Sequence, residues 1–336
     1  MIGTIEMTEE NQALLDRFLE GKKLGLARAI SLVEDERPGF QSFLHRVLEA
    51  PRFAKRLGFT GPPGAGKSSL VSALAKAYRD QSEEVAVVAV DPTSPYSGGA
   101  LLGDRIRMND LATDEGIFIR SMATRGSMGG LATTTKEVLD LMDAFGFPRV
   151  MVETVGVGQT ELEITGAADT VIVILVPESG DAIQAMKAGL MEIADIFVVN
   201  KADRPGAERL VRDLKLALHL REGEALRNVP AHHGVDLRRI SRLPEKTGQS
   251  LGPGAESGWA IPVLQTVAQT GEGVGELREA VEAHRRFLEV SGGLAARREA
   301  RAAGRVRDVV NRELRRIAWD HPDVEKILEQ GVTEIV

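Results

Sequence analysis

The sequence predicts an α/β protein built on a mostly parallel, doubly wound sheet, with helical additions before and after it. Three observations predict this. From Lys55 onward, seven short runs of apolar, largely β-branched residues alternate with helical stretches. Strands buried on both faces read this way, because helices cover each side of a parallel sheet. The first run leads directly into a glycine-rich turn and a helix, GPPGAGKSS at 61–69, the arrangement of a phosphate-binding loop. Outside these limits the pattern is only helical, so the chain divides into residues 1–54, 55–290 and 291–336.

The first part is expected as a helical extension. Leu14, Leu15, Phe18 and Leu19 supply one apolar stripe, and Ile30, Phe43, Leu44, Val47 and Leu48 suggest others, with a turn at Pro38-Gly39. In the central part the strand candidates are LGFT (57–60), VAVVAV (85–90), IFIRS (117–121), RVMVET (149–154), TVIVILV (170–176), IFVVN (196–200) and IPVLQTVA (261–268). Region 221–258 breaks this rhythm with Pro230, Pro244, Pro253 and few apolar residues, and reads as an insertion. After Gly292-Gly293 a basic helix begins. Val306, Val310, Leu314 and Ile317 fall on one of its faces, and an apolar stripe on a charged helix needs cover.

Bulk properties exclude several classes. The 336 residues carry a net charge of −7, which argues against nucleic acid as the main partner, since phosphate neutralisation needs a basic surface. With no cysteine there is neither a disulfide nor a thiolate metal site, as suits a reducing cytoplasm. The opening MIGTIEMTEENQ is acidic and polar, unlike a signal peptide, and the apolar run Val171–Val176 is too short to span a membrane.

The chemistry lies in the turns after the strands. In the segment Gly61, Pro62, Pro63, Gly64, Ala65, Gly66, Lys67, Ser68, Ser69, the glycines let successive amides face a phosphate, and the helix N-terminus adds positive potential. Lys67 would neutralise β- and γ-phosphates and the Ser68 hydroxyl would ligate Mg²⁺. A later strand ends in NKAD, with Asn200, Lys201 and Asp203. Alone this suits any strand-to-helix turn. Downstream of a phosphate loop it indicates guanine, whose N1–H and amine an aspartate accepts while adenine offers neither. TVAQTGEG (266–273) would add a backbone amide, at Ala268, toward the guanine oxygen.

Asp91 and Asp104 flank a Ser/Gly/Pro-rich loop after the second strand. Each is either a magnesium ligand, direct or through water, or a local cap. Arg105 and Arg107 are nearby cations, for phosphate charge or for structural ion pairs. In VMVETVGVGQTE (150–161) Glu153 stands where small G proteins carry aspartate; its carboxylate can still hold a water on magnesium. Gln159 comes three residues after Gly156, displaced from the usual water-orienting place, and is either a catalytic glutamine or a helix-start residue.

Together, GPPGAGKS, DPTSPYSGGALLGDRIRM, ETVGVGQTE, VPESGDAIQAMKAGLMEIADIFVVNKAD and the basic C-terminal helix closely resemble the MeaB-type G-protein chaperones of adenosylcobalamin-dependent acyl-CoA mutases. The resemblance covers about residues 10–220 and 259–330. It implies a P-loop GTPase that binds GTP or GDP, gates cobalamin loading and protects or reactivates a mutase. Methylmalonyl-CoA mutase is the best-known client, and isobutyryl-CoA and 2-hydroxyisobutyryl-CoA mutases are other candidates. It implies that Ser68, Asp91, Asp104 and Glu153 gather around Mg²⁺. It makes 177–189 a partner switch, with Asp181, Gln184 and Lys187 in it, although the same segment reads equally as an amphipathic helix. It also implies a homodimer through the C-terminal arm. The long 221–258 connection departs from the family pattern and leaves the client open. Two other readings share parts of the pattern. A metal-insertion GTPase would use Cys/His sites, and here only His232-His233 stands in the insertion without ligand-spaced partners. A transport-linked kinase, the older label of the same family, would need a substrate-phosphorylation motif that the sequence does not display.

Overall fold

The computed structural model describes residues 7–49, 53–91, 111, 113–123, 133–154, 163–177, 189–221, 258–319 and 324. The insertion read at 221–258 falls almost wholly outside them, at 222–257. Among the described residues no helix is long and apolar enough to cross a membrane.

Three helices come first: α1 (Glu9–Leu19), α2 (Lys23–Glu34) and α3 (Phe40–Leu48). Thr8 caps α1, its hydroxyl accepting from the Asn11 amide at 3.2 Å, and Glu9 and Glu10 oppose the positive end of the helix. Leu15, Phe18, Leu26, Ile30 and Phe43 are buried, with the Phe18 and Phe43 rings edge to face. Leu19, expected in the same stripe as Phe18, is 68% exposed. It lies at the end of α1, one residue past the buried face.

Among the described residues seven strands follow: β1 (Lys55–Thr60), β2 (Val85–Asp91), β3 (Ile117–Ala123), β4 (Arg149–Glu153), β5 (Thr170–Leu175), β6 (Ile196–Asn200) and β7 (Val263–Thr266). Every expected run contributes one strand. All pairings are parallel, in the order β3-β2-β4-β1-β5-β6-β7. Among the described residues the helices between them are α4 (Lys67–Arg79), α5 (Thr133–Phe145), the short α6 (Leu190–Ile193), α7 (Ala207–Arg221) and α8 (Val274–Ser291).

The pleat divides the core in two. Along β5, Val171, Val173 and Leu175 join α1–α3, α5 and α7 on one face. Ile172, Ile174 and Val176 join α4 and α8 on the other. This alternation explains the continuous apolar runs, since successive side chains point to opposite faces and both faces are covered. Each fully buried Val, Leu or Ile contributes about 1.5–3 kcal/mol of transfer free energy. Because every strand is parallel, the C-terminal ends of β1, β2, β4, β5, β6 and β7 all lie at one edge. The strand order reverses beside β1, where such folds open a crevice for ligands.

At the opposite edge lies α9 (Gly293–Trp319). Its arginines hold it there. Arg297 grips both carboxylate oxygens of Asp195 at 2.8 Å. Arg298 and Arg301 reach Asp169 at 3.3 and 3.0 Å, Arg305 reaches Asp140 at 3.0 Å, and Arg312 reaches Glu137 at 3.0 Å. Burial opposes the charge on Asp169, yet Arg301 and Arg298 hold its carboxyl below the usual carboxylate range. On the same helix Val306, Val310, Leu314 and Ile317 remain 49–64% exposed. The basic character of α9 thus serves docking, and its apolar stripe faces away.

His284 of α8 is buried in this junction. Its Nδ1 lies 2.9 Å from Thr170 Oγ1 and its Nε2 lies 3.3 Å from Asp195 Oδ1. The Trp259 ring packs on it and donates its indole N–H to the Asp195 carbonyl at 2.9 Å. Burial pushes the imidazole pKa down to about 4; Asp195 opposes the shift and Arg297 adds to it. The unfolded chain therefore binds a proton near pH 6.5 that the folded chain refuses until about pH 4. The stabilisation is complete above pH 6.5 and is lost as the pH falls toward 4, by an amount on the order of 3 kcal/mol. Urea midpoints measured from pH 7.5 to 4.5 should fall through this window. They should fall less steeply in His284→Gln, which has no proton to gain.

Candidate nucleotide-binding site

The site grows from the end of β1. Gly61 has φ 138°, and a Cβ there would lie 2.0 Å from the Ile174 carbonyl oxygen. Only glycine lets the loop leave β1 pressed against β5. Gly66, with φ 84°, opens α4, and a Cβ there would sit 2.4 Å from Asn200 Nδ2. Between them Pro62 and Ala65 close a turn, the Ala65 amide donating to the Pro62 carbonyl at 3.2 Å. Pro63 and Gly64 are exposed at its tip, and Ser69 is exposed on α4. Lys67 curls back over the loop, donating to the Gly61 and Pro62 carbonyls at 2.9 and 3.1 Å. An ammonium held on two carbonyls beside a helix N-terminus is placed to meet a phosphate anion.

Ser68 and Glu153 meet across this loop. The Ser68 hydroxyl donates to Glu153 Oε1 at 2.8 Å, and both residues are buried. A hydroxyl and a carboxylate side by side are hard oxygen donors, the type that Mg²⁺ prefers. The donor set therefore fits that ion. Among the described residues no three His, Asp or Glu side chains are placed to hold a metal ion together. The backbone of Asp91 ends β2 two residues beyond Ala89, which pairs with Glu153, so it belongs to the same edge. The side chain of Asp91, and all of Asp104, Gln159, Asp181, Gln184 and Lys187, lie outside the described residues, as do Arg105, Arg107 and His232-His233.

The expected guanine motif comes to the loop from β6. The Asn200 carboxamide is buried at the centre of three segments. Its Nδ2 donates to the Ala65 carbonyl at 2.9 Å, while its Oδ1 accepts from Thr266 Oγ1 and from the Ala268 amide, each at 3.1 Å. The Ala268 N–H, expected toward the base, thus rests on Asn200. Lys201, with φ 57°, extends over the loop and donates to the Gly64 carbonyl at 2.8 Å. Asp203 leaves its carboxylate exposed beside them. Thr266 escaped the sequence reading. The only hint was a hydroxyl residue at the end of a strand leading to Ala268.

Comparison with known proteins agrees with this geometry. The family described as methylmalonyl-CoA mutase-associated GTPase MeaB matches residues 26–323. A protein of Pyrococcus horikoshii described as a GTPase is 44% identical over 297 residues, covering 88% of this chain and 84% of that one. The mouse mitochondrial homologue of methylmalonic aciduria type A protein is 32% identical over 314 residues, covering 87% of this chain and 68% of that one. Among solved structures, a LAO/AO transport system kinase superposes with a TM-score of 0.66 at 27% identity, covering 98% of this chain and 93% of that one.

Asn200→Ala would leave the Ala65 carbonyl and the Ala268 amide without their partner. Each buried unpaired group costs about 1–3 kcal/mol. The variant should melt several degrees lower and lose most of its guanine-nucleotide affinity, as read by calorimetry and by titration with a fluorescent GDP analogue.

Proposed function

The chain belongs to the MeaB family of methylmalonyl-CoA mutase-associated GTPases and hydrolyses GTP, and from that premise we propose that it is a switch protein serving an adenosylcobalamin-dependent acyl-CoA mutase. In this reading GTP binding and hydrolysis gate cobalamin loading and protect or reactivate the client. The observation that carries the nucleotide part is the Asn200 junction, which brings the phosphate loop, the NKAD turn and the Ala268 loop onto one side chain. The family match and the mouse relative support the mutase part.

The roles follow from the geometry. Gly61 to Ser69 would wrap the phosphates, and Lys67 would exchange the Gly61 and Pro62 carbonyls for β- and γ-phosphate oxygens. Asp203 would accept from the guanine N1–H and amine, Lys201 would cover the base, and the Ala268 amide would turn from Asn200 to the guanine oxygen. Ser68 and Glu153, with Asp91 and Asp104, would hold magnesium, which when bound neutralises charge on the phosphate oxygens. Gln159, six residues after Glu153 in the sequence, is the candidate for orienting the attacking water. Residues 177–189, with Asp181, Gln184 and Lys187, would touch the client. The exposed stripe Val306, Val310, Leu314 and Ile317 would pair two copies through α9.

Asp203→Asn should shift preference from GTP toward xanthosine triphosphate, because a donor replaces an acceptor opposite the base. Lost buried hydrogen bonds of this kind discriminate by about 10⁴ or more, so an unchanged affinity for GTP would sink the base assignment. The test of the whole reading is steady-state GTP turnover with and without purified candidate mutases. Turnover alone should be slow, nearer the roughly 10⁻⁴–10⁻² s⁻¹ of unassisted G proteins than the several per second of assisted ones. The client should raise it, and Lys187→Ala should blunt that rise while GTP affinity stays near the parent's. Fast turnover alone, or no response to any such mutase, would overturn the chaperone reading.

A further inference from the structure

Two buried hydroxyls stand where β1 and β4 end. Thr60 is the last residue of β1, and Thr154 is the first after β4. They are 0% and 1% exposed. Thr154 Oγ1 lies 3.0 Å from Thr60 Oγ1 and 3.4 Å from the Phe59 carbonyl, and the Thr154 amide donates to that same carbonyl at 3.0 Å. The amide already continues the ladder between β1 and β4. The hydroxyls are therefore an addition to the sheet and no part of its pairing. Valine has the same shape and dominates the neighbouring positions Val150 and Val152. A buried hydroxyl is costly to desolvate unless it is paired, so two of them facing each other need a use that two valines would not serve.

Their neighbours supply that use. The residue before Thr154 is Glu153, whose carboxylate accepts from Ser68 at 2.8 Å. The residue after Thr60 is Gly61, whose carbonyl accepts from Lys67 at 2.9 Å and whose backbone is pressed on Ile174. The hydroxyl pair joins the two strands one step nearer to the site than the last shared backbone bond. Through the backbone it ties Glu153 to the start of the phosphate loop. We propose that Thr60 and Thr154 form a positioning latch for hydrolysis, which fixes the Glu153 carboxylate against Ser68 and so sets the hold on magnesium and on the reacting phosphate. The latch rests on the reading of Ser68 and Glu153 as magnesium holders. It acts through Glu153 and touches no substrate itself.

The test uses the full chain with Thr154→Val, Thr60→Val, the double variant, Thr154→Ser and, as a control on the underlying reading, Glu153→Gln. Three quantities are measured for each. They are kcat and KM for GTP, the magnesium concentration that half-saturates a complex with N-methylanthraniloyl-GDP by fluorescence, and the melting temperature. Thr154→Val should lower kcat by about tenfold at unchanged KM and raise the magnesium requirement by about fivefold, as expected for one lost buried hydroxyl contact. Thr60→Val should do the same. The double variant should be no worse than either single one, because partners in one contact are not additive. Thr154→Ser, which keeps the hydroxyl, should return to near the parent. A Thr154→Val protein with parental kcat and magnesium requirement would overturn the latch. So would multiplied losses in the double variant, or a loss that tracks melting temperature and is not rescued by serine. If Glu153→Gln keeps the parental magnesium requirement, the magnesium reading of Glu153 fails, and kcat with serine rescue then decides the latch alone.

Discussion

The site depends on one buried carboxamide. Asn200, itself in the NKAD turn, gives its two polar ends to two other segments far away in the chain, one at Ala65 and one at Thr266 and Ala268. An amide side chain can do this because it carries donors on one side and an acceptor with two lone pairs on the other. A carboxylate could not donate to the Ala65 carbonyl, and an aliphatic residue would leave all three groups unpaired. The constraint reaches backward into the fold. Gly66 must be glycine because its Cβ would strike Asn200 Nδ2. β6 and β7 must be parallel neighbours so that Thr266 stands beside Asn200 in register.

At the other edge of the sheet the logic is electrostatic. Asp169 and Asp195 precede β5 and β6, and α9 answers them with Arg297, Arg298 and Arg301. Buried pairs of this kind add little net stability against an apolar contact of the same shape, but breaking one partner leaves a charge uncompensated. They therefore fix where α9 lies more than how firmly the core holds. With its arginines spent on the core, the helix keeps its valines, leucine and isoleucine exposed. The same junction holds His284 neutral, so a positional device at one edge carries a pH dependence with it.

The two edges are joined by short strands. β6 runs from beside Asp195 to Asn200 in five residues, and β5 runs from beside Asp169 to the carbonyl of Ile174 against which Gly61 is pressed. The nucleotide site and the docked arm thus share β5 and β6 as rigid members. At the site Lys67 already rests on two carbonyls and Ser68 on Glu153. A nucleotide would exchange these bonds rather than build a site from loose parts, and such preorganisation lowers the cost of binding.

Much of this was legible in the sequence. The seven apolar runs became the seven strands, because a strand covered on both faces writes its burial into consecutive residues. The phosphate loop and NKAD were legible because each builds its geometry from one contiguous segment, where spacing alone sets the shape. What only the tertiary structure decided involves partners brought together by register. Thr60 and Thr154 are 94 residues apart, and nothing in either neighbourhood names the other. The order β3-β2-β4-β1-β5-β6-β7 places β4 between β2 and β1, and only that order sets Glu153 beside Ser68. The basic residues of α9 announced a charged helix. Which acids would meet them, and which face would stay open, followed from where Asp169 and Asp195 stood once the sheet had formed. Local spacing determines what a segment can do, and pairing across the sheet determines with whom, because hydrogen bonds and ion pairs act over a few ångströms that only the folded chain can set.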